Sequence, residues 1–95
     1  MALFILACFD KPNSLDLRMA TREAHLAYAG EHRAMIKVAG PMLDDAEGMA
    51  GSLFILEAAS RAEVEAFNAA DPYSKAGLFD RIEVQRFRPT LGDPL

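Results

Sequence analysis

The stretch LFILACF at residues 3–9 carries an apolar side chain at every position, and the turn-forming residues DKPN follow it at 10–13. Successive side chains of a strand point to opposite faces of a sheet, so this pattern predicts a strand, Leu3–Phe9, that is covered on both faces. A second two-faced apolar stretch, LFIL at residues 53–56, lies within the predicted strand Ser52–Ala58. We therefore expect these two segments to be the central strands of one sheet.

Two helices and two further strands are predicted in the rest of the chain. Asn13 or Ser14 is suited to cap the first helix, and the capping box Ser60-x-x-Glu63 marks the start of the second. The predicted strands are Leu3–Phe9, Ala34–Ala39, Ser52–Ala58 and Ile82–Arg88, and the predicted helices run from Leu15 to about Arg33 and from Ser60 to Asp71. This β-α-β-β-α-β order is typical of the α+β, ferredoxin-like fold, with strands one and three central and strands two and four at the edges.

The helices are expected to cover only one face of the sheet. An apolar stripe at helical spacing should turn the first helix towards the sheet, and its residues are Leu17, Ala20, Ala24, Ala27 and Tyr28. The opposite face of the sheet would then expose an apolar patch larger than most soluble monomers tolerate. We expect a second copy of the same sheet to cover that face, which predicts a homodimer.

Composition limits the class of protein. The 95 residues suit a single domain, 1–95, in which residues 89–95 are expected to form a flexible tail. The net charge of −4 comes from acidic and basic residues that alternate along the chain, which argues against a nucleic-acid partner. One cysteine, Cys8, is expected to be a packed and inert thiol, and no apolar run suits a membrane span. These features favour a soluble, cytoplasmic protein.

His25 is the first candidate for chemistry. Helical spacing puts it at the border of the apolar stripe, with Arg18, Arg22 and His32 beside it. A half-buried histidine that is held through one ring nitrogen by a carboxylate can act as a base through the other. A histidine that only hydrogen-bonds a backbone carbonyl fits the same pattern, so the sequence leaves both interpretations open.

Asp71 is the second candidate. It precedes Pro72 and is suited to cap a short helix that stops at Gly77. Capping and catalysis can coexist in one aspartate, with one carboxylate oxygen for each. Spacing alone does not bring this aspartate to His25.

Three short motifs occur in order along the chain. They are Arg22-x-x-His25-Leu26, Ala39-Gly40-Pro41, and Asp71-Pro72-Tyr73 followed by Gly77. Within a β-α-β-β-α-β chain this set resembles the YciI-like (YCII-related) family. The resemblance implies a ferredoxin-like dimeric α/β barrel in which the histidine of the first helix and the aspartate of the Asp-Pro-Tyr segment form an active-site pair.

Carried to this sequence, the resemblance assigns the catalytic pair to His25 and Asp71. It also implies that Gly40 and Pro41 shape one wall of the site and that Arg22 and Tyr73 reach a substrate. One member of the family is a dehydrochlorinase of a chlorinated hydroxyhydroquinone. The hypothesis is therefore a small lyase-like enzyme that transfers a proton in an elimination or isomerisation of a small hydroxylated, aromatic substrate.

Two alternatives use the same fold without catalysis. One is a module that binds a small ligand in the pocket, and the other is an accessory subunit whose sheet face matters and whose pocket does not. No cofactor is expected, since the glycines match neither a P-loop nor a dinucleotide motif. No metal is expected either, because His25 and His32 have no further ligands at suitable spacing.

Overall fold

The predicted order of the elements is confirmed in the computed structural model, which describes residues 1–94. The strands are β1 (Ala2–Asp10), β2 (Ile36–Leu43), β3 (Met49–Ala58) and β4 (Phe79–Phe87). The helices are α1 (Leu15–Glu31), α2 (Arg61–Ala70) and the short α3 (Pro72–Lys75), and a 3-10 turn at Arg33–Met35 leads into β2. The strands form one antiparallel sheet in the order β2-β3-β1-β4, so the two-faced apolar strands are central and the more polar strands form the edges.

The hydrophobic core lies between the sheet and α2. Alternate residues of the central strands face the helices, as their cross-strand pairing requires. The buried core residues are Phe4, Leu6 and Cys8 of β1, Phe54, Leu56 and Ala58 of β3, and Val64 and Phe67 of α2. Helix α2 begins at a cap in which Ser60 Oγ accepts a hydrogen bond from the backbone nitrogen of Glu63 at 3.3 Å, as the capping box predicts.

Strand β2 continues beyond its predicted end at Ala39. Pro41 has no N–H to donate, yet it lies in register with Ser52 of β3, and β2 runs on to Leu43. A proline is compatible with an edge strand because only one side of such a strand pairs with a neighbour. This extension makes the Gly40-Pro41 segment part of the sheet and places it beside β3.

The predicted sheet-facing stripe of α1 is wrong by one residue except at Tyr28, which is half-buried and packs against the core as predicted. Leu17 is 38% exposed and Ala20, Ala24 and Ala27 are also exposed, whereas the buried residues of α1 are Arg18 and His25. One residue is a rotation of about 100° around the helix axis. The helix presents a polar face to the protein interior because each buried polar side chain finds a hydrogen-bonding partner there, whereas the alanines offer little area to bury.

The described C-terminal residues after β4 are not part of the sheet. Residues 88–94 are exposed and contain no helix or strand, and Leu95, the last residue of the predicted flexible tail, lies outside the described residues. None of the helices in residues 1–94 is both long and apolar enough to cross a membrane.

Candidate active site

His25 and Asp71 meet in the interior of the protein. His25 projects from the middle of α1, and its Nδ1 lies 2.9 Å from Oδ1 and 3.1 Å from Oδ2 of Asp71. The histidine is 9% exposed and the aspartate is completely buried. An ionised carboxylate only accepts hydrogen bonds, so this pairing makes Nδ1 the donor, and in the neutral imidazole the lone pair is then on Nε2.

The second ring nitrogen of His25 faces the pocket. Nε2 makes none of the hydrogen bonds found within residues 1–94, and no buried side-chain nitrogen or oxygen there lacks a partner. Nε2 is therefore not completely enclosed, and His25 lines a pocket. A ring held through Nδ1 with an accessible Nε2 has the geometry of a general base.

The backbone around Pro72 fixes the position of Asp71. Asp71 ends α2 and caps α3, and its extended conformation (φ −63°, ψ 130°) is the one that a residue before proline prefers. Its Oδ1 also accepts a hydrogen bond from the backbone nitrogen of Tyr73 at 2.9 Å. The cap and the histidine therefore share one oxygen, where the sequence suggested one oxygen for each.

Aromatic rings hold the imidazole from two sides. Tyr73 stacks on His25 with a centroid distance of 4.0 Å and an interplanar angle of 14°, and Phe54 meets it edge to face at 6.0 Å. Tyr73 is almost completely buried, and this burial raises the pKa of its phenol although Arg18 and Arg22 act to lower it. The phenol therefore stays neutral near pH 7, and the two rings fix the plane of the imidazole.

Arg18 is a site residue that the sequence analysis did not select. It is 2% exposed, and its Nε and Nη2 donate to Oδ2 and Oδ1 of Asp10 at 2.7 and 3.0 Å. Nη2 also donates to Ser52 Oγ at 2.8 Å, and the guanidinium lies 4.6 Å from the centroid of the Tyr73 ring. Burial opposes the charge of Arg18, but its hydrogen bonds to Asp10 and the charge of that carboxylate outweigh burial and raise its pKa.

One signal in the sequence pointed to Arg18. It lies seven positions before His25, and His25 lies seven positions before His32, which caps the end of α1, so the three side chains lie on nearly the same line along the helix. This line is the face that turns inwards. Because the residues of this face are polar, an apolar stripe does not mark it.

A cavity of about 130 Å³ opens between α1 and the β2-β3 side of the sheet. Five of the six predicted site residues line it, namely Arg22, His25, Gly40, Pro41 and Tyr73, whereas Asp71 contacts His25 and is not part of the lining. Arg18, Ser52 and Phe54 line it as well and were not predicted as site residues. The pocket therefore has one arginine that is exposed to solvent, Arg22, and one that is buried, Arg18.

Fold and pocket together define a class: a ferredoxin-like α+β chain with a paired histidine and aspartate between its first helix and its sheet. The sequence profile of the YCII-related domain matches residues 2–88, and the chain belongs to that family. It is 34% identical over 94 residues to protein YciI of Escherichia coli O6:H1, which covers 90% of this chain and 96% of the relative. It is 30% identical to an uncharacterized protein of Haemophilus influenzae, covering 90% and 95%.

Solved structures include an enzyme that is similar to this chain. 5-Chloro-2-hydroxyhydroquinone dehydrochlorinase (TftG) of Burkholderia phenoliruptrix AC1100, in complex with 2,5-dihydroxybenzoquinone, is 42% identical, with a TM-score of 0.84 over 90% of this chain and 93% of the enzyme. An antibiotic biosynthesis monooxygenase matches with a TM-score of 0.56 at 15% identity, over 96% of this chain and all of that one. At 15% identity, the similarity to the monooxygenase shows a shared fold and nothing further.

Proposed function

We propose that this chain is a small enzyme in which His25, oriented by Asp71, transfers a proton during elimination or isomerisation of a small hydroxylated aromatic compound. The observation that carries the proposal is the pairing of Nδ1 with a completely buried carboxylate while Nε2 remains available at the pocket. A neutral histidine that is held in one tautomer and one orientation is suited to accept a proton near neutral pH.

The pocket supports a ligand of one ring. Its volume of about 130 Å³ is well below the 300 Å³ or more of a site for drug-sized molecules. Apolar and aromatic groups, including Phe54 and Tyr73, line it beside the imidazole and the arginines. The similarity to TftG, a dehydrochlorinase whose complex contains 2,5-dihydroxybenzoquinone, favours a hydroxylated quinol or quinone as the class of substrate.

The proposed elimination needs no redox cofactor. In a hydroquinone that carries a leaving group, Nε2 accepts the proton of a ring hydroxyl and returns a proton to the carbon that bears the leaving group, which gives the keto tautomer. Nε2 then removes the proton of a second hydroxyl, its electron pair forms the other carbonyl, and the leaving group departs with the electrons of its bond. The products are a quinone and one equivalent of acid, so atoms and electrons balance.

The other pocket residues have proposed roles in binding. Arg22, which is exposed, is suited to attract an anionic group, and Tyr73 holds the imidazole by stacking. Gly40 contributes to the lining of the pocket, and Pro41 adds a rigid apolar surface. Together they form the wall against which a flat ring can lie.

A turnover screen tests the proposal. Halogenated hydroquinones and hydroxyhydroquinones are incubated with the protein, and release of halide and absorbance of the quinone are followed. We expect His25→Ala to keep the fold and to slow turnover by about 10²–10⁴-fold. His32→Ala is the matched control, because His32 packs on Tyr28 and Phe67 and does not line the pocket.

The outcomes separate the three hypotheses. Turnover that persists at the wild-type rate in His25→Ala would remove His25 from the mechanism. Binding of hydroquinones or quinones without turnover would favour the ligand-binding module, and absence of both would favour the accessory subunit. We also propose that the chain acts as a homodimer through the helix-free face of its sheet.

A further inference from the structure

The proposed proton transfer by His25 does not involve a second polar cluster that lies in the pocket. Arg18 and Ser52 both line the pocket, and we refer to these two residues as the arginine-serine corner. Asp10 lies behind the corner and binds Arg18 through both carboxylate oxygens. Both corner residues are buried, at 2% and 3% exposure, so their polar atoms are removed from bulk water.

The hydrogen bonds of the arginine-serine corner show which donor remains for a ligand. Nε of Arg18 has one hydrogen and donates it to Asp10, and Nη2 has two, donated to Asp10 and Ser52. Ser52 Oγ accepts from Arg18, and its own hydroxyl proton takes part in none of the hydrogen bonds found within residues 1–94. The corner therefore offers the hydroxyl of Ser52 to the pocket as a donor.

The available donor is of a defined chemical kind. Asp10 neutralises the charge of Arg18, so the corner presents a polarised O–H group beside an arginine whose charge is already paired. Such a site suits one carbonyl or phenolate oxygen better than a multiply charged group. A hydrogen bond from this hydroxyl to a ligand oxygen would form in a largely buried setting and would therefore stabilise the complex.

We propose that Ser52, oriented by Arg18, is a binding residue that donates a hydrogen bond to a carbonyl or oxyanion oxygen of the ring ligand. This inference rests on the proposed function for the nature of the ligand and adds how that ligand is oriented. Arg18 orients the hydroxyl of Ser52 by donating to one of its two lone pairs, and Asp10 acts as a positioning residue through Arg18. One oxygen of the ligand lies at the corner, and the rest of the ring extends within the pocket that His25 lines.

The test is binding of two probes to the complete chain. 2,5-Dihydroxybenzoquinone represents the proposed substrate class, and benzoate is a one-ring oxyanion that cannot undergo the elimination. We expect Ser52→Ala to weaken the binding of both probes by about tenfold, which corresponds to the loss of one buried hydrogen bond. Calorimetry gives the dissociation constants, and thermal unfolding measures stability in the same samples.

Two further variants make the result specific. Ser52→Cys nearly preserves the size of the side chain but donates weakly, so it should weaken binding while keeping the fold even if alanine does not. Ser74→Ala is the matched control: Ser74 is a partly buried serine that donates to Asn68 at 3.3 Å and lies outside the pocket. It should lower stability slightly and leave both dissociation constants unchanged.

The possible results distinguish this inference from the proposed function. Wild-type affinity in both Ser52 variants, or binding of neither probe to the wild-type protein, would overturn the inference. If benzoate binding depends on Ser52 but 2,5-dihydroxybenzoquinone does not bind, the inference stands and the proposed substrate class is wrong. If the quinone binds without any dependence on Ser52, the substrate class stands and the inference is wrong.

Discussion

The carboxylate of Asp71 accepts hydrogen bonds from two groups, the imidazole of His25 and the backbone of Tyr73. Asparagine can keep the shared oxygen as acceptor for both the cap and Nδ1. It removes the negative charge, however, which in the carboxylate stabilises the imidazolium that forms when Nε2 accepts a proton. We expect Asp71→Asn to fold and to lose about 10²–10⁴-fold in turnover, measured with the substrate found in the halide screen.

Asp71→Ala serves as the comparison because it removes the cap as well as the charge. We expect it to lower the free energy of unfolding by about 2 kcal/mol or more, measured by urea denaturation, since a helix cap and a buried hydrogen bond are both lost. Wild-type turnover in Asp71→Asn would show that the negative charge of the carboxylate does not assist the base. Equal stability of the two variants would show that the cap contributes nothing.

Cys8 is buried in the core, where its Sγ lies 3.4 Å from Oδ1 of Asn68. Burial, assisted by the charges of Asp71 and Asp10, raises the pKa of the thiol from its ordinary 9.0 to about 12. The reactive thiolate is then only about one part in a thousand at pH 9. We expect iodoacetamide to leave native Cys8 unmodified at pH 8.5 and to alkylate it rapidly in urea, as followed by mass spectrometry.

The raised pKa of Cys8 also predicts how stability depends on pH. The unfolded chain releases the thiol proton near pH 9 and the folded chain only near pH 12. The contribution of Cys8 to the free energy of unfolding is therefore complete below pH 9 and declines as the pH rises from 9 to 12. Cys8→Ala should show a smaller decline over this range than the wild-type protein. Rapid alkylation of the native chain would contradict both expectations.

At the scale of elements, α1 shows how polar partners can decide the rotation of a helix. An apolar stripe of mostly alanine lies one residue from the face that is buried, and the buried face contains Arg18 and His25. Their partners, Asp10 and Asp71, come from the end of β1 and from the junction of α2 and α3. The orientation of α1 therefore depends on residues that are distant in sequence.

Close packing around Gly51 predicts that replacing this glycine with alanine lowers stability, in contrast to the same replacement at Gly30. A Cβ at Gly51 in β3 would lie 2.5 Å from the carbonyl oxygen of Cys8 and 2.6 Å from Cε of Met42. The methionine can move, but the backbone of β1 cannot move without disturbing the sheet. We expect Gly51→Ala to lower the free energy of unfolding by about 1–3 kcal/mol in urea denaturation.

Gly30 is the matched control for this prediction. It lies in α1 with no atom within 4 Å of the position of a Cβ, so alanine there meets no obstacle and favours the helix. We expect Gly30→Ala to raise stability by up to about 1 kcal/mol. A Gly51→Ala variant as stable as the wild-type protein would mean that the sheet tolerates a wider separation of β1 and β3.

At the scale of the whole molecule, the sheet has one face that its own helices do not cover. The registers place the following residues there: Leu3, Ile5, Phe9, Val38, Leu53, Ile55 and Phe87. Phe54 is in the core, which makes Ile55 the neighbour that points to the open face. A second copy of this face would bury the apolar side chains on both sheets, which favours a twofold dimer.

A charge at Ile55 tests this assembly. We expect the wild-type chain to sediment as a dimer at micromolar concentration and Ile55→Lys to sediment as a monomer, because a lysine there cannot be buried without a partner. Ala62→Lys, on the exposed side of α2, should leave the dimer intact. A wild-type chain that sediments only as a monomer would end the proposal.

The fold followed from the sequence because its signals are local. Alternating and continuous apolar patterns, the capping box at Ser60 and the turn residues after Phe9 act within a few residues of chain, so they predict element type and order. Element ends were less predictable: β2 passes through Gly40-Pro41 because an edge strand accepts a proline. The motifs around His25, Gly40 and Asp71 indicated the family, which the match over residues 2–88 confirms.

The sequence by itself determined the β-α-β-β-α-β order, the two central strands and the residues from which the candidate site was selected. Only the tertiary structure decided that His25 and Asp71 touch, that one oxygen of Asp71 serves both cap and imidazole, and that Arg18 and Ser52 belong to the pocket. The physical reason is that the residues concerned are far apart along the chain. Hydrogen bonds between residues 46 and 34 positions apart depend on how the helices dock on the sheet, and no local pattern of the chain encodes that docking.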